Sequence, residues 1–217
     1  MSRDILGLTE RLPFGVPTLI LALALVLFII RVIVRRSYRL PPSVRLSIVE
    51  TLDATIFAAL LSLVIIVFIV QAFFIPSGSM EPTLRVGDRI LVGKFAYRIW
   101  EIKRGDVVVF RYPLNPNKDF VKRVVGLPGE RVEIKEGLVL INSRPLGEGY
   151  PTKLPGGDRA CSSNYGPQAV PAANLFVLGD NRCNSEDSRF FGFVPIKNVV
   201  GRAFVVYWPL DRVTLVR

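Results

Sequence analysis

The sequence contains no histidine and only two cysteines. Without histidine the chain cannot form a Ser-His-Asp triad, a Cys-His dyad or a histidine-ligated metal centre. Two cysteines are too few for a four-thiolate zinc site or a disulfide-rich scaffold. If the chain is an enzyme, its general base must therefore be a lysine, aspartate, glutamate or tyrosine. We expect no metal and no cofactor.

Acidic residues are also scarce, with 18 against 28 lysines and arginines, which gives a net charge of +10. Charged residues make up only 21% of the chain and the mean hydropathy is +0.40. These values exclude an intrinsically disordered chain and favour membrane segments. Nucleic-acid binding is not expected, because the sequence has no zinc finger, basic helix or aromatic RNA-binding motif. A basic surface facing anionic lipid explains the charge.

Two long apolar runs predict membrane-spanning helices. Residues 54–75 contain no charged side chain, and as a helix they would reach about 33 Å, enough for a hydrocarbon core of about 30 Å. Residues 14–34 form a shorter run that Arg31 interrupts. A cleavable signal peptide is the alternative for this first run. We favour a second span, because further arginines follow where a small-residue cleavage site should stand.

The charges around these runs predict their orientation. The segment 35–53 between them is basic, whereas the charges of residues 1–13 are balanced. By the positive-inside rule the connecting segment is cytoplasmic, so residues 1–13 and 76–217 are extracytoplasmic. The basic residues in and next to the connecting segment are Arg31, Arg35, Arg36, Arg39 and Arg45, against Glu50 and Asp53.

Residues 76–217 carry short β-rich runs separated by Gly- and Pro-containing turns, with no helical period. The runs start near residues 89, 106, 120, 131, 138, 175 and 203. The predicted fold is therefore mainly β, with two N-terminal transmembrane helices followed by an all-β extracytoplasmic domain of the sandwich or barrel type.

A candidate nucleophile and base lie in two separate motifs. Ser79 stands in a Pro-Ser-Gly-Ser turn directly after the second apolar run, and a serine needs an adjacent base. Without histidine, a buried lysine of lowered pKa can serve. Lys122 fits this role. Strand alternation puts Phe120, Lys122 and Val124 on one face of the strand and Arg123 on the other. We therefore expect one of the two adjacent cations to point inward and the other to stay exposed. The simpler alternatives are an ordinary turn and a solvated strand charge.

A third segment, residues 179–189, is dense in hydrogen-bonding side chains. It is typical either of an ordered polar network or of an ordinary surface turn. In a network, Asp187 and Arg189 would orient the site rather than carry out chemistry.

Five motifs, in order, resemble the bacterial type I signal peptidase family, the Ser-Lys dyad serine proteases also called leader peptidases. They are Pro76-Ser-Gly-Ser-Met-Glu-Pro-Thr-Leu, Gly87-Asp-Arg-Ile-Leu-Val, Arg104-Gly-Asp-Val-Val-Val-Phe, Lys122-Arg-Val-Val-Gly-Leu-Pro-Gly-Glu, and Gly179-Asp-Asn-x-x-Asn-Ser-x-Asp-Ser-Arg. The resemblance implies that Ser79 is the nucleophile and Lys122 the general base. It implies further that Ser77 and the Ser79 N–H form the oxyanion hole and that Ser185 holds the lysine ammonium. Supporting roles fall to Arg123, Asp187 and Arg189.

By the same resemblance, the substrates are secreted preproteins cleaved after an Ala-x-Ala-type site. The enzyme then lies in the bacterial inner membrane as a multi-pass protein, with the phospholipid bilayer as a second partner and no nucleic acid. Shallow pockets for small side chains are expected to be lined by Ile75, Pro76, Met80, Leu84, Phe120 and Val121.

Cys183 departs from the family pattern, since an acid is frequent at its position. A disulfide with Cys161 and a pair of free thiols are both open. Two other functions also remain open: a narrow-substrate Ser-Lys peptidase of the pilin or conjugation type, and a catalytically silent membrane-tethered binding domain.

Overall fold

The computed structural model describes residues 15–37, 41–94, 101–152 and 164–216. The chain forms two compact units, one of residues 11–71 and the other including residues 72–217. The predicted tail, residues 1–13, lies outside the described residues.

The first unit consists of two helices. Helix α1 covers Gly15–Arg36, and α2 covers Pro42–Val64 and continues as a π-helical turn over Ile65–Ile69. Proline suits the first position of α2, because its missing N–H would have no partner there. Both helices are long and apolar enough to cross a membrane, by length and composition.

Helix α2 differs from the sequence prediction at both ends. It starts twelve residues before Ala54, so most of the predicted loop 35–53 is helical. Hydroxyls in this first part bond to carbonyls one turn back, as Ser47 does to Ser43 and Thr51 to Ser47. At the other end the helix stops at Ile69 rather than Ile75.

Residues 70–74 leave the helix and form an edge strand. This segment is rich in aromatic and β-branched side chains, which suit a pleated surface. Phe73 and Ile75 bury almost completely among the apolar side chains of the second unit. Burial in that core offers these two side chains contacts that one more turn of an exposed helix would not provide.

The second unit is mainly β, as the sequence predicts. Each predicted run corresponds to a strand, and the described residues of this unit hold one short α-helix, α3, Ser188–Phe191. The strands are β1 Val70–Phe74, β2 Arg89–Gly93, β3 Val107–Tyr112, β4 Asn115–Gly126, β5 Arg131–Lys135, β6 Leu138–Ile141, β7 Arg144–Pro145, β8 Tyr165–Ala169, β9 Asn174–Leu178, β10 Val194–Pro195, β11 Val199–Trp208 and β12 Thr214–Leu215.

Within the described residues these strands form two sheets. The larger has the order β1-β2-β11-β3-β4-β9-β10, with β12 pairing with β11, and the smaller has the order β7-β6-β5-β8. Strand β4 pairs antiparallel with β3 on one side and with β9 on the other. Its residues 121–126 are all buried. Val121, Val124 and Val125 each enter a different apolar cluster, so β4 is held rigidly.

Candidate active site

Lys122 lies on the buried half of β4, where Val108 of β3 is its cross-strand partner. Its side chain reaches a 3-10 turn, Gly78–Met80, that follows the extended residue Ser77. The Lys122 Nζ donates a hydrogen bond of 2.7 Å to the Ser79 Oγ. Only 4% of Lys122 is exposed. The structure thus brings together a hydroxyl and an amine that are 43 residues apart in the sequence.

Burial changes the chemistry of this amine. Loss of water around the ammonium lowers the pKa of Lys122 from 10.5 to about 8, although Asp187, Glu186 and Asp180 act in the opposite direction. A pKa near the working pH leaves a useful fraction of the amine neutral, and only the neutral amine can accept a proton. Lys122 therefore has both the position and the protonation behaviour of a general base.

The turn that carries Ser79 is fixed by residue Asn181. Its backbone N–H donates to the Ser79 carbonyl at 3.1 Å, and its side-chain amide donates to the Gly78 carbonyl at 2.9 Å. Two residues earlier, Gly179 packs closely against the Ser79 backbone and the Ser185 side chain. A Cβ at this position would lie 2.5 Å from the Ser79 carbonyl oxygen and 2.2 Å from the Ser185 Oγ. Only glycine permits this approach. The segment 179–181 therefore holds the backbone of the nucleophile.

Arg123 is buried too, which makes the prediction that one of the two adjacent cations stays exposed wrong. Its guanidinium donates to both carboxylate oxygens of Asp180, at 2.8 and 2.6 Å. Further bonds go to the Gly105 carbonyl and to Thr83. A buried guanidinium is tolerated only when it is paired and its remaining donors are satisfied, and these partners meet that condition. The sequence reasoning did not single out Asp180 or Thr83.

Asp187 and Arg189 form a bidentate pair at 2.8 Å for both contacts. Asp187 also caps helix α3 and accepts the Gly179 N–H at 3.1 Å. The guanidinium of Arg189 additionally donates to the Arg182 carbonyl at 2.6 Å. These bonds connect both ends of the segment 179–189, whereas the bracing role itself stays a prediction.

Ser185 lines the same cavity as Lys122 but is not bonded to its amine. Its Oγ is buried and has no hydrogen-bond partner among the described residues. The predicted contact with the lysine ammonium is thus not formed here, although both side chains face the same cavity.

This cavity has a volume of about 460 Å³ and reaches both Ser79 and Lys122. Four of the predicted pocket residues line it: Ile75, Pro76, Phe120 and Val121. Met80 and Leu84 do not line it; both are fully buried in the core. Sequence reasoning missed one feature of the wall, the hydrogen bond of 2.8 Å from the Tyr112 hydroxyl to Glu186.

Cys183 is exposed and disulfide-bonded. The other cysteine of the sequence, Cys161, lies outside the described residues, so the proposed pairing stays a prediction. Among the described residues, no group of three or more Asp, Glu or Cys side chains could hold a metal ion.

The family model described as signal peptidase, peptidase S26 matches residues 48–208. This range contains the turn with Ser79, all of β4 and the segment 179–189. The chain belongs to this family. It is therefore a peptidase rather than the binding domain considered from the sequence.

Named relatives agree with this assignment. A protein named signal peptidase I from Leptolyngbya laminosa is 46% identical over 163 residues, which cover 71% of this chain and 77% of that protein. A signal peptidase I from Mycobacterium tuberculosis is 33% identical over an alignment of 228 positions, gaps included, which covers 81% of this chain and 78% of that protein. A crystal structure of a signal peptidase I from Enterococcus faecalis is 34% identical, with a TM-score of 0.42, over 48% of this chain and 97% of that one.

Proposed function

We propose that this chain is a membrane-anchored signal peptidase I that removes signal peptides from secreted preproteins through a Ser79–Lys122 dyad. The observation that carries the proposal is the contact of 2.7 Å between the Ser79 Oγ and a buried lysine amine at the wall of a cavity. The matches to proteins named signal peptidase I support the substrate class.

The first half of the reaction forms an acyl-enzyme. Neutral Lys122 takes the proton of the Ser79 hydroxyl while the Oγ attacks the carbonyl carbon of the scissile bond. The lysine ammonium then gives this proton to the leaving amine, and the C–N bond breaks. The mature protein leaves with a free amino terminus, and the signal peptide remains esterified to Ser79.

The second half hydrolyses the ester. Lys122, neutral again, takes a proton from a water molecule that attacks the ester carbonyl, and the proton passes to the Ser79 oxygen as it leaves. The signal peptide departs with a free carboxylate. We assign to Ser185, a buried hydroxyl on the same cavity with no other partner among the described residues, the role of orienting the amine during these transfers.

The developing oxyanion needs donors near Ser79. Ser79 is the second residue of a 3-10 turn, and N–H groups at the start of such a turn have no partner within it. The Ser77 side chain is exposed and lines the cavity. We assign these two groups to the oxyanion hole, where one donor typically contributes about 2.7–4 kcal/mol.

Specificity for small residues follows from the walls of the cavity. Ile75, Phe120 and Val121 present apolar surface, and Ile75 and Val121 are themselves buried, so they cannot move aside for a large side chain. Such walls favour alanine-sized side chains before the scissile bond, the pattern found at signal-peptide cleavage sites.

The two helices are proposed to span the bacterial inner membrane. Helix α1 ends in Arg35 and Arg36, and Arg45 lies in the first turns of α2. By the positive-inside rule this charge supports a cytoplasmic connection and an extracytoplasmic β-rich unit. Protease added to spheroplasts should digest residues 72–217; full protection would overturn the orientation.

Exposed apolar side chains on the β-rich unit support the bilayer as a further partner. They cluster on β11, on β12 and in the turn between them, and rings such as tryptophan are frequent at membrane interfaces. The side chains are Phe204, Trp208, Leu210, Val213 and Leu215.

The dyad is tested with purified full-length protein in detergent and a precursor that carries an Ala-x-Ala site. Wild type should cleave after the second alanine, as mapped by mass spectrometry, whereas Ser79→Ala and Lys122→Ala should lose all detectable cleavage. Lys135→Ala is the matched control, because Lys135 is an exposed lysine on β5 away from the cavity. Cleavage by a folded Ser79→Ala variant, or none by folded wild type, would overturn the proposal.

The pH dependence follows from the pKa of Lys122. Because the neutral amine is the active form and its pKa is about 8, kcat/KM should rise about tenfold per pH unit below pH 8 and level off above it. A flat profile from pH 6 to 9 would contradict Lys122 as the base.

A further inference from the structure

Three arginines support the segment 179–189, and each pairs with one carboxylate. Arg123 pairs with Asp180 and Arg189 with Asp187, so two of the three acids belong to the segment itself. The third arginine, Arg182, pairs with Glu148, which comes from the stretch after β7, outside the five sequence motifs. The segment thus depends on one acid from elsewhere in the chain.

Arg182 connects this acid to the backbone beside the nucleophile. Its Nη2 lies 2.5 Å from the Glu148 Oε1, and its Nε donates to the Gly179 carbonyl at 3.0 Å. Arg182 is buried, so its charge has little water to replace a lost partner. Gly179 in turn packs against the Ser79 carbonyl and the Ser185 hydroxyl. A displacement of Arg182 would therefore shift Gly179 and, through it, the Ser79 backbone and the Ser185 hydroxyl.

Tyr150 links the same acid to a second arginine. Its hydroxyl donates to the Glu148 Oε1 at 3.2 Å, and its ring lies over the Arg123 guanidinium, 4.1 Å from ring centre to Cζ. Burial, followed by the nearby charge of Glu148, raises the pKa of Tyr150, so the hydroxyl remains a donor at working pH. Glu148 and Tyr150 together connect Arg182 to Arg123, the residue next to Lys122.

We propose that Glu148 and Tyr150 are positioning residues for catalysis, which hold the segment 179–182 against the nucleophile through Arg182 and Arg123. The inference rests on the Ser79–Lys122 chemistry proposed above. Neither residue lines the cavity with Ser79 and Lys122, so neither touches the reacting atoms.

A positioning role differs from a purely stabilising one in its kinetic signature. Four charged side chains of the segment act on the Lys122 amine: Asp180, Glu186, Asp187 and Arg189. Two further charged residues, Lys118 and Asp119 of β4, line the same cavity. The three acids of the segment raise the pKa of the amine. Burial lowers the pKa of the same amine and is the larger influence, and the segment contributes Ser185 and Glu186 to the cavity wall around it. If the segment moves away, both influences change, so kcat falls and the pH midpoint of the reaction moves away from its wild-type value.

The chain offers a matched control in Arg104 and Glu130. This pair has the same 2.5 Å contact, and Glu130 is exposed to the same extent as Glu148, at 19%. Glu130 also accepts the Leu127 N–H, so it stabilises the turn between β4 and β5 rather than the segment 179–189. Its loss should cost stability but leave catalysis unchanged.

The experiment compares Glu148→Gln and Glu130→Gln in the full-length chain in detergent, with kcat, KM and the pH profile measured on one precursor. We expect Glu148→Gln to lower kcat by roughly 10- to 100-fold. KM should stay within about twofold and the pH midpoint should differ from that of wild type. Glu148→Asp should regain part of kcat, because it keeps the charge. Glu130→Gln should match wild type in all three quantities.

A second pair of variants keeps the inference testable if Glu148→Gln does not fold. Tyr150→Phe retains the ring over Arg123 and should lose little activity, whereas Tyr150→Leu should lose kcat as Glu148→Gln does. Wild-type kcat in folded Glu148→Gln or Tyr150→Leu, or an equal kcat loss in Glu130→Gln, would overturn the inference. The proposed function fails separately, if Ser79→Ala still cleaves.

Discussion

The two units of this protein distribute their side chains in opposite ways. The helical unit exposes its apolar residues: no residue of α2 is buried, and Phe57 is 69% exposed. The β-rich unit instead buries charges, among them Arg123 at 1% exposure and Asp180 at 0%. Exposed apolar surface of this extent suits the lipid surroundings proposed for the helices, whereas a buried charge requires a partner of opposite charge. The two units thus follow different rules, since the helices present apolar side chains outward and the β-rich unit pairs its charges inside.

The largest expected effect contrasts one aromatic residue from each unit. Phe110 is fully buried between Phe120 and Phe191, so Phe110→Ala should lower the free energy of unfolding of the β-rich unit by about 3–5 kcal/mol. Phe57→Ala should change it by less than about 0.5 kcal/mol. Guanidinium titration followed by tryptophan fluorescence measures this, since both tryptophans come after residue 71. Equal losses would show that the two units do not differ as described.

A smaller effect tests the buried charges. Lys122→Met should abolish cleavage but raise the free energy of unfolding at pH 7, by up to about 3 kcal/mol, because the pKa of Lys122 falls from 10.5 to about 8 on folding. Between these two pH values the unfolded state binds more protons than the folded state. Wild-type stability should thus rise with pH over this interval, until the advantage of the variant disappears above about pH 10.5.

The control for this titration is Lys135→Met, which removes an exposed lysine from a strand and should leave the pH dependence of wild type unchanged. If Lys122→Met were less stable than wild type at pH 7, the amine would be better accommodated by its buried site than its lowered pKa indicates.

The smallest effect concerns the charge pair of the helical unit, in which Arg31 donates two hydrogen bonds to the Asp53 carboxylate. Ile69 lies sixteen positions after Asp53, a helical rise of about 24 Å, which is less than the bilayer core of about 30 Å. Asp53 therefore falls within the hydrocarbon if Ile69 marks its outer boundary. A charge there needs its partner.

Asp53→Asn should therefore reduce the fraction of chains inserted in membranes, as measured by resistance to carbonate extraction, and the double variant Arg31→Gln/Asp53→Asn should restore it. Glu50→Gln, one helical turn earlier and without this pair, should behave as wild type. If the double variant inserts less well than Asp53→Asn, the two charges do not act as a pair.

Much of the architecture could be predicted from local sequence. Two apolar runs, seven β-rich runs and the turns between them are short-range signals, and the corresponding helices and strands are present. Ser79 and Lys122 could be selected as well, because the absence of histidine leaves few candidates for a base and five ordered motifs point to the same family. The ends of α2 could not be predicted, since hydropathy does not show where Phe73 and Ile75 find a core to enter.

The sequence by itself determined the chemical possibilities: which residue types can act as nucleophile and base, which segments are apolar enough for lipid, and which runs form strands. Only the tertiary structure decided that Arg123 is buried with Asp180, that Met80 and Leu84 belong to the core, and that Glu148 pairs with Arg182. The physical reason is that burial and pairing depend on residues far apart in the sequence. A periodic pattern shows which face of a strand is apolar, but only packing sets which charges are removed from water and which partners they find there.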